Sequence, residues 1–457
     1  MRVVAMGVLL QAFYWNCPSA ENQQGTWWKF LQSKLPAVKA AGFTAMWLPP
    51  ACKAANLFGA PSMGYDPYDY FDLGEYNQRR SVATWFGVKD DLTALVTAAH
   101  TAGLQLYADI VINHNNGADA QELNLVNNQM MWTKFTPVSG KFPRDWTCFH
   151  PSTFQVVDEY PPFGGMPQLC HQNPVVYSAV MEYAQRMIEE IGFDGFRFDY
   201  VKGFGPWMIK AISERRFNKS GNAGPGSAMY KPFCVGEYWD SEVSIEDWLN
   251  LANSFNDNPV TAFDFPLRYH LKDMCDTYGY DLRGLLAADS VLTTEPDSAV
   301  TFVDNHDTTQ NPGDAVINDK LLAYAFILTH QGYPCVFWPD YFNYGLSRTG
   351  TANGLDALIA AHEKYAGGDA TNLWADANLY IMQRSGYAGQ AGLVLVLNNR
   401  GDIWNGATVK TQWVNGHLTP VAWDGNDQSR PEEKYTGGDG SVDLYAAPRG
   451  WVVYAPA

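Results

Sequence analysis

Three acidic side chains stand at the ends of short apolar runs in this 457-residue chain. Asp199 closes the run GFRF, Glu237 follows FCVG, and Asp307 comes shortly after AVTFV. Arg197 precedes Asp199 by two residues, so on a strand both side chains point to the same face and the arginine keeps the aspartate ionised. Carboxylates that share a partly dry cleft repel one another and lose hydration, unless a cation or a function holds them there.

Cleavage of a glycosidic bond is the chemistry that fits such a set best. One carboxylate attacks the anomeric carbon, a second protonates the leaving oxygen, and a third helps to stabilise the oxocarbenium-like transition state. His114 and His306 follow two of the apolar runs and are suited as neutral donors to sugar hydroxyls. Taken singly, each residue has a simpler explanation as a turn, cap or loop residue. Only their joint placement at strand ends favours catalysis.

The elements that would position these residues alternate between apolar runs and helical periodicity from residue 5 to about 365. This alternation is typical of βα units around a parallel sheet. The strand candidates are VLLQAFYW, TAMWLP, LQLYADIVINH, FDGFRFDYV, FCVGEYW, TAFDFP, AVTFVDNH and CVFWPDYF. They number eight, as a closed (β/α)8 TIM barrel requires, and in such a barrel the chemistry lies where the strands end.

Two segments depart from this alternation. Residues 115–174 carry clusters of Asn, Pro, Gly and Asp with only short apolar runs, and they far exceed the ordinary βα loop of about two to six residues. After residue 365, short alternating runs separated by Asn-Gly, Gly-Gly and Asp-Gly turn signals predict an antiparallel β domain. We therefore predict a barrel over 1–114 and 175–365, an inserted domain over 115–174 and a C-terminal β domain over 366–457.

Composition argues against several other classes of protein. Lys and Arg total 31 against 48 Asp and Glu, a net charge of −17. Nucleic acids and anionic membranes are bound through clustered basic side chains, so we expect neither as a partner. No run approaches the roughly 18 apolar residues of a membrane span. The seven cysteines lack CxxC spacing and predict neither a disulfide scaffold nor a zinc ribbon.

Aromatic residues make up 14% of the chain, and flat rings stack well on the apolar faces of sugars. The segment GYDPYDYFDLGEYN, residues 64–77, is the richest in tyrosine. Core packing explains most of these rings equally well. Tyr65 is the one that we select as a sugar contact.

With these segments identified, the chain resembles the α-amylase family of glycoside hydrolases. DIVINH, GFRFDYVKG, VGEYW and FVDNHD match the four sequence signatures of that family in order and spacing, and SMGYDPYDYFDLGEYNQ is also similar to it. The resemblance covers essentially the whole chain. It implies a (β/α)8 barrel with an inserted B domain after the third strand and a C-terminal antiparallel β domain.

The resemblance also implies roles for individual residues. Asp199 matches the nucleophile, Glu237 the general acid and base, and Asp307 the transition-state stabiliser. Asp109 matches a largely structural carboxylate. The implied course is double displacement with retention of the α configuration, through a covalent glycosyl-enzyme intermediate. The positions that match substrate-binding residues are Tyr65, His114, Arg197, Lys202 and His306.

A structural calcium between the barrel and the B domain is a further implication of the resemblance. Asn113 matches a side-chain ligand and Gly203 a backbone carbonyl ligand, but Gln168 stands where the family has a carboxylate. Calcium prefers charged oxygens and takes about six to eight ligands, so this exchange predicts a weaker site. Asp158 and Glu159 are the candidates to complete it.

Some relatives bind a second metal through B-domain His and Cys residues. His150 and Cys170 match two such positions, but Gln155 stands where another histidine is expected. We therefore do not expect zinc.

The leading functional prediction is endo hydrolysis of α-1,4 bonds in starch and maltooligosaccharides by a secreted monomer. The start MRVVAMGVLL is too short, and lacks the cleavage site, for a convincing signal peptide. An exo-acting, maltooligosaccharide-forming enzyme is the nearest alternative, because the same site serves both and loop shape decides. A transglycosylase and a non-catalytic sugar-binding member of the family are the others, and the presence of all three carboxylates argues against the last.

Overall fold

The computed structural model describes residues 7–17, 25–56, 62–154, 163–219, 229–311, 313–387 and 389–457. Its first twelve strands are β1 Leu9–Gln11, β2 Ala45–Leu48, β3 Lys53–Ala54, β4 Pro67–Asp69, β5 Gln105–Ile110, β6 Ala120–Asn124, β7 Gln129–Lys134, β8 Gly195–Phe198, β9 Phe233–Gly236, β10 Thr261–Phe263, β11 Ala299–Phe302 and β12 Tyr333–Phe337. Eight of them close into a parallel barrel in the order β1-β2-β5-β8-β9-β10-β11-β12. Each barrel strand overlaps one of the eight predicted runs, so the predicted barrel is confirmed.

Helices surround this barrel; most bury one face, while the eighth is buried along all but its first residue. They are α1 Trp27–Ala40, α2 Lys89–Thr101, α3 Pro174–Arg186, α4 Pro206–Glu214, α5 Glu242–Asn253, α6 Phe265–Asp276, α7 Val291–Thr294, α8 Lys320–Ile327 and α9 Leu355–Tyr365. In α2 the apolar residues recur every three or four positions, and Leu92, Leu95, Val96 and Ala99 are all buried. No described helix is long and apolar enough to cross a membrane.

The segment that precedes β8 shows how the local sequence positions Asp199. Asn173 caps α3 by accepting a hydrogen bond from the backbone N–H of Val175, and Pro174 occupies the first turn. After a further turn the helix ends at Gly192, whose φ of 99° is left-handed and suits a residue without Cβ. The chain then enters β8 directly, and Asp199 follows the last residue of that strand.

Between β5 and β8 the chain leaves the barrel, as predicted for the insertion. The hairpin of β6 and β7 lies there, together with isolated bridges from Phe135 to Arg144 and from Phe149 to Leu169. A bridge between His114 and Gln168 ties the end of the insertion back to the barrel. The limits of the insertion at 115 and 174 stay a prediction.

The remaining strands form the C-terminal β domain. They are β13 Ala370–Ala375, β14 Leu379–Arg384, β15 Leu393–Asn398, β16 Asn405–Lys410, β17 His417–Asp424, β18 Lys434–Tyr435, β19 Ser441–Ala446 and β20 Gly450–Pro456. Six make an antiparallel sheet in the order β13-β14-β15-β20-β17-β18, while β16 pairs with β19. Along β14, Tyr380 and Met382 join the main core, whereas Leu379 and Ile381 pack in a second one. This alternation fixes the sheet between the two cores.

Candidate active site

The three predicted catalytic carboxylates meet at the carboxyl ends of the barrel strands. Asp199 follows β8, Glu237 follows β9, and Asp307 lies on the loop after β11. A cleft of about 600 Å³ opens at this rim, and the three acidic residues line it. Asp199 and Glu237 are each 7% exposed, while the Asp307 side chain is 33% exposed. The cleft is also lined by the predicted substrate residues Tyr65, Lys202 and His306.

Arg197 is the cation at the centre of this cluster. It is 1% exposed, and its Nη1 lies 2.8 Å from Asp109 Oδ1 and 2.9 Å from Asp199 Oδ1. Its Nη2 lies 2.8 Å from Glu237 Oε1. One buried guanidinium therefore orients three carboxylates from three neighbouring strands, a task that suits its rigid fork of donors.

Burial perturbs the carboxyl groups around this arginine. It raises the pKa of Asp199, Arg197 opposes the shift, and the charges of Asp109 and Asp307 add to it. Burial likewise raises the pKa of Glu237, again opposed by Arg197 and reinforced by Asp199 and Asp307. A carboxyl group with a raised pKa keeps its proton to higher pH, as a general acid must.

Asp109, which the resemblance treats as structural, is a buried acceptor beneath the cleft. Its Oδ2 accepts hydrogen bonds from Trp47 Nε1 at 3.0 Å and from the Tyr65 hydroxyl at 2.8 Å. The Tyr65 ring thereby takes a fixed position, nearly parallel to Trp15 and to His306 at centroid distances of 5.9 and 5.0 Å. These parallel rings form an aromatic wall beside the carboxylates.

The two predicted histidines are both neutral but have different surroundings. Burial lowers the pKa of His114 and of His306 to about 4. His306 has Gln11 Nε2 at 3.0 Å from its Nδ1 and Asp307 Oδ2 at 3.4 Å from its Nε2. His114 is fully buried, with its Nε2 2.8 Å from the backbone oxygen of Tyr65. His306 thus faces the cleft, whereas the hydrogen bond of His114 supports the Tyr65 backbone.

Several residues of the site were not singled out from the sequence. Trp239 is one of them: its backbone oxygen accepts from the predicted Lys202 at 2.9 Å, and its ring stacks on Phe265 at 4.8 Å. The cleft is lined by further aromatic side chains, namely Trp15, Phe163, Tyr200 and Trp239. Gln11 is the other omission, and its signal was a polar residue inside the apolar run VLLQAFYW.

The predicted calcium ligands come together only in part. Asn113 and Gly203 are adjacent, since a Cβ built on Gly203 would collide with Asn113 Oδ1. Gln168 Nε2 donates a hydrogen bond to the Gly203 carbonyl oxygen. Asp158 and Glu159 lie outside the described residues. The described part of the chain has no group of three or more His, Cys, Asp or Glu side chains suited to a metal. The oxygens of Asn113 and Gly203 are of a kind that calcium accepts, but the N–H donor of Gln168 beside them does not fit a cation, and no charged oxygen joins them among the described residues.

Comparison with known proteins agrees with this geometry. The alpha-amylase catalytic domain family matches residues 18–344. The chain belongs to the alpha-amylase family. This α-amylase-family protein is 29% identical to the glucan 1,4-alpha-maltohexaosidase of Bacillus sp. (strain 707), over 88% of this chain and 87% of that one. It is 30% identical to the alpha-amylase of Geobacillus stearothermophilus, over 79% and 71% of the two chains.

A solved alpha-amylase from Geobacillus thermoleovorans, complexed with acarbose, shares the fold of this α-amylase-family chain. The TM-score is 0.68 at 19% identity, over 99% of this chain and 98% of the other. The predictions of a barrel with a C-terminal β domain and of a glycoside hydrolase of the α-amylase family are thus confirmed.

Proposed function

We propose that this protein hydrolyses internal α-1,4-glucosidic bonds in starch and maltooligosaccharides with retention of configuration. The observation that carries the proposal is the Arg197 cluster, which holds Asp199 and Glu237 side by side at the rim of an open cleft. A retaining glycosidase needs such a pair of carboxyl groups, one ionised and one protonated.

In the first step Asp199 attacks the anomeric carbon while Glu237 gives its proton to the glycosidic oxygen, which leaves with the bond's electron pair. Arg197 favours the ionised form of Asp199, as attack requires. Glu237 is held by the backbone N–H of Tyr200, which donates to its Oε2 at 2.9 Å. In the second step Glu237 takes a proton from water, the water oxygen attacks the anomeric carbon, and Asp199 is released.

Asp307 fits the third role, stabilisation of the positive charge that develops on the sugar ring. Its backbone N–H donates to Asn305 Oδ1 at 2.9 Å, and its partly exposed carboxylate lines the cleft. Tyr65 and Trp15 offer ring faces to the sugar. His306 and Lys202 offer donors to its hydroxyls. His114 serves the substrate site indirectly, because it supports Tyr65 through its hydrogen bond to the Tyr65 backbone oxygen.

The open cleft favours attack within a chain, because a long glucan can lie across it. The exo-acting alternative is supported by the maltohexaosidase among the relatives. The products formed from soluble starch over time distinguish the two: mixed lengths indicate endo attack, and one dominant oligomer indicates exo attack. Growth of maltooligosaccharides beyond the length supplied would indicate transglycosylation.

We further propose that the protein acts outside the cell and as a monomer. Long glucans do not cross membranes, so an enzyme that degrades starch from the surroundings has to act outside the cell. The net charge of −17 supports the expectation that neither nucleic acid nor an anionic membrane is a partner. Activity in the culture medium against that in the cell pellet tests the location, and light scattering tests the monomer.

Replacement of the nucleophile tests the mechanism. Asp199→Asn should lower starch hydrolysis by several orders of magnitude while the protein stays folded, because the amide does not attack the anomeric carbon. The matched control is Asp402→Asn, which alters an aspartate that is 64% exposed in the C-terminal domain. Equal rates for Asp199→Asn and the wild-type protein would refute the assignment.

A further inference from the structure

The side chain of Gln168 lies beside the residues that the family resemblance implies as calcium ligands. Its Nε2 donates a hydrogen bond to the Gly203 carbonyl oxygen, and the residue is 3% exposed. The backbone of Gln168 is fixed as well, since its carbonyl oxygen accepts from the His150 N–H at 2.9 Å and the residue bridges His114. Contacts of both its side chain and its backbone therefore hold Gln168 between the insertion and the barrel.

Asn113 completes this group from the end of the third barrel strand. Among the described residues its Oδ1 is buried without a hydrogen-bond partner. Gly203 packs so closely against it that a side chain there would collide with Oδ1. An amide oxygen, a carbonyl oxygen and an amide N–H thus occupy one compact space. The first two are oxygen ligands in kind, but the third is a proton donor to the Gly203 oxygen, and a donor does not coordinate a cation.

We propose that Gln168 takes the place of a metal ion at this junction, so that the fold does not depend on calcium. Its N–H satisfies the Gly203 carbonyl, which a cation would otherwise satisfy, and no charge needs balancing. This contact is connected to the catalytic loop, because the Gly203 N–H donates to the Tyr200 oxygen at 3.0 Å and Tyr200 follows Asp199. The neutral hydrogen bond joins the insertion to the loop after the fourth barrel strand, and the bridge to His114 ties the insertion to the end of the third barrel strand.

The proposal predicts that one substitution creates the missing site. Gln168→Asp removes the donor and places a charged oxygen beside Asn113 Oδ1 and the Gly203 oxygen, the kind of ligand set that calcium prefers. Gln168→Ala removes the donor without adding a ligand. Gln172→Asp is the matched control, because it introduces the same charge four residues away in the same segment.

The test measures Tm by scanning calorimetry, in excess EDTA and in excess calcium, and bound calcium by equilibrium dialysis. The wild-type Tm should be equal in both solutions. Gln168→Ala should lower it by about 1–3 °C, equally in both. Gln168→Asp should be less stable than the wild type in EDTA, regain Tm with calcium and bind one additional ion per chain, whereas Gln172→Asp should not respond.

A wild-type protein that keeps calcium after desalting, and whose Tm falls when EDTA removes it, would overturn the proposal. So would a Gln168→Asp variant whose Tm and calcium content match those of Gln172→Asp. If Gln168→Asp does not fold, the wild-type and Gln168→Ala measurements decide alone. All of these readings are made without substrate, so their outcome is independent of the proposed hydrolytic function.

Discussion

Arg197→Lys is the substitution that tests the electrostatics of the site most directly. The guanidinium uses two nitrogens, with Nη1 shared between Asp109 and Asp199 and Nη2 given to Glu237. A lysine has a single nitrogen on a flexible stem and cannot span all three. We expect the ammonium to stay with the two aspartates and to leave Glu237 without its cation.

The size of the effect follows from this geometry. Loss of an opposite charge at this distance raises a carboxyl pKa by about 1–3 units. The pKa of Glu237, already raised by burial, should therefore rise further, and Glu237 keeps its proton to higher pH. In the pH profile of kcat/KM, the alkaline limb should shift to higher pH by at least about one unit. The acidic limb, which is set by Asp199, should stay in place. Loss of one partner from a buried ion pair costs about 3–5 kcal/mol, so Tm should fall as well.

The sign of the pH dependence of stability can be stated in advance. A carboxyl whose folded pKa is raised costs no stability below its unfolded pKa, and the cost grows as pH rises through the folded pKa. The Tm difference between Arg197→Lys and the wild type should therefore widen with increasing pH. The assay is kcat/KM on a chromogenic maltooligosaccharide across both limbs, together with calorimetry. Arg216→Lys, at a partly exposed arginine paired with Asp257, is the control. A profile and Tm that coincide with the wild type would refute the reasoning.

Three further predictions follow from the same contacts. Gln11→Glu should raise the pKa of His306 above its lowered value of about 4, because a carboxylate then faces Nδ1. The pH profile of kcat/KM should show a new ionisation, and an unaltered profile would contradict this. Asp199→Asn should raise Tm at alkaline pH, and the gain should shrink as pH falls. Burial raises the pKa of Asp199, so the ionised form of this side chain lowers the stability of the folded protein. Calorimetry that finds a lower Tm at every pH would count against this. His362→Gln should reduce the loss of stability between about pH 6.5 and 4, by up to about 3 kcal/mol in denaturant titrations. Burial lowers the pKa of His362 to about 4, so only the unfolded chain takes up the proton in that range, and an unchanged acid transition would refute this account.

The sequence by itself determined the barrel and the positions of the acidic residues. Parallel strands covered on both faces are buried throughout, so they remain visible as continuous apolar runs. The residues that end these runs must lie at one rim, because parallel strands in a closed barrel all point the same way. The convergence of Asp199, Glu237 and Asp307 therefore needed no knowledge of side-chain contacts.

Only the tertiary structure decided which side chains meet. Arg197 was placed beside Asp199 by strand alternation, but its contact with Glu237 depends on the register of β8 against β9. Gln11 and His306 lie 295 residues apart and touch because β1 neighbours the last strands of the closed barrel. Gln168 was visible as a missing carboxylate, yet the direction of its amide toward Gly203 was not. Hydrogen bonds of this kind depend on ångström-scale side-chain placement, which residue type and spacing do not carry.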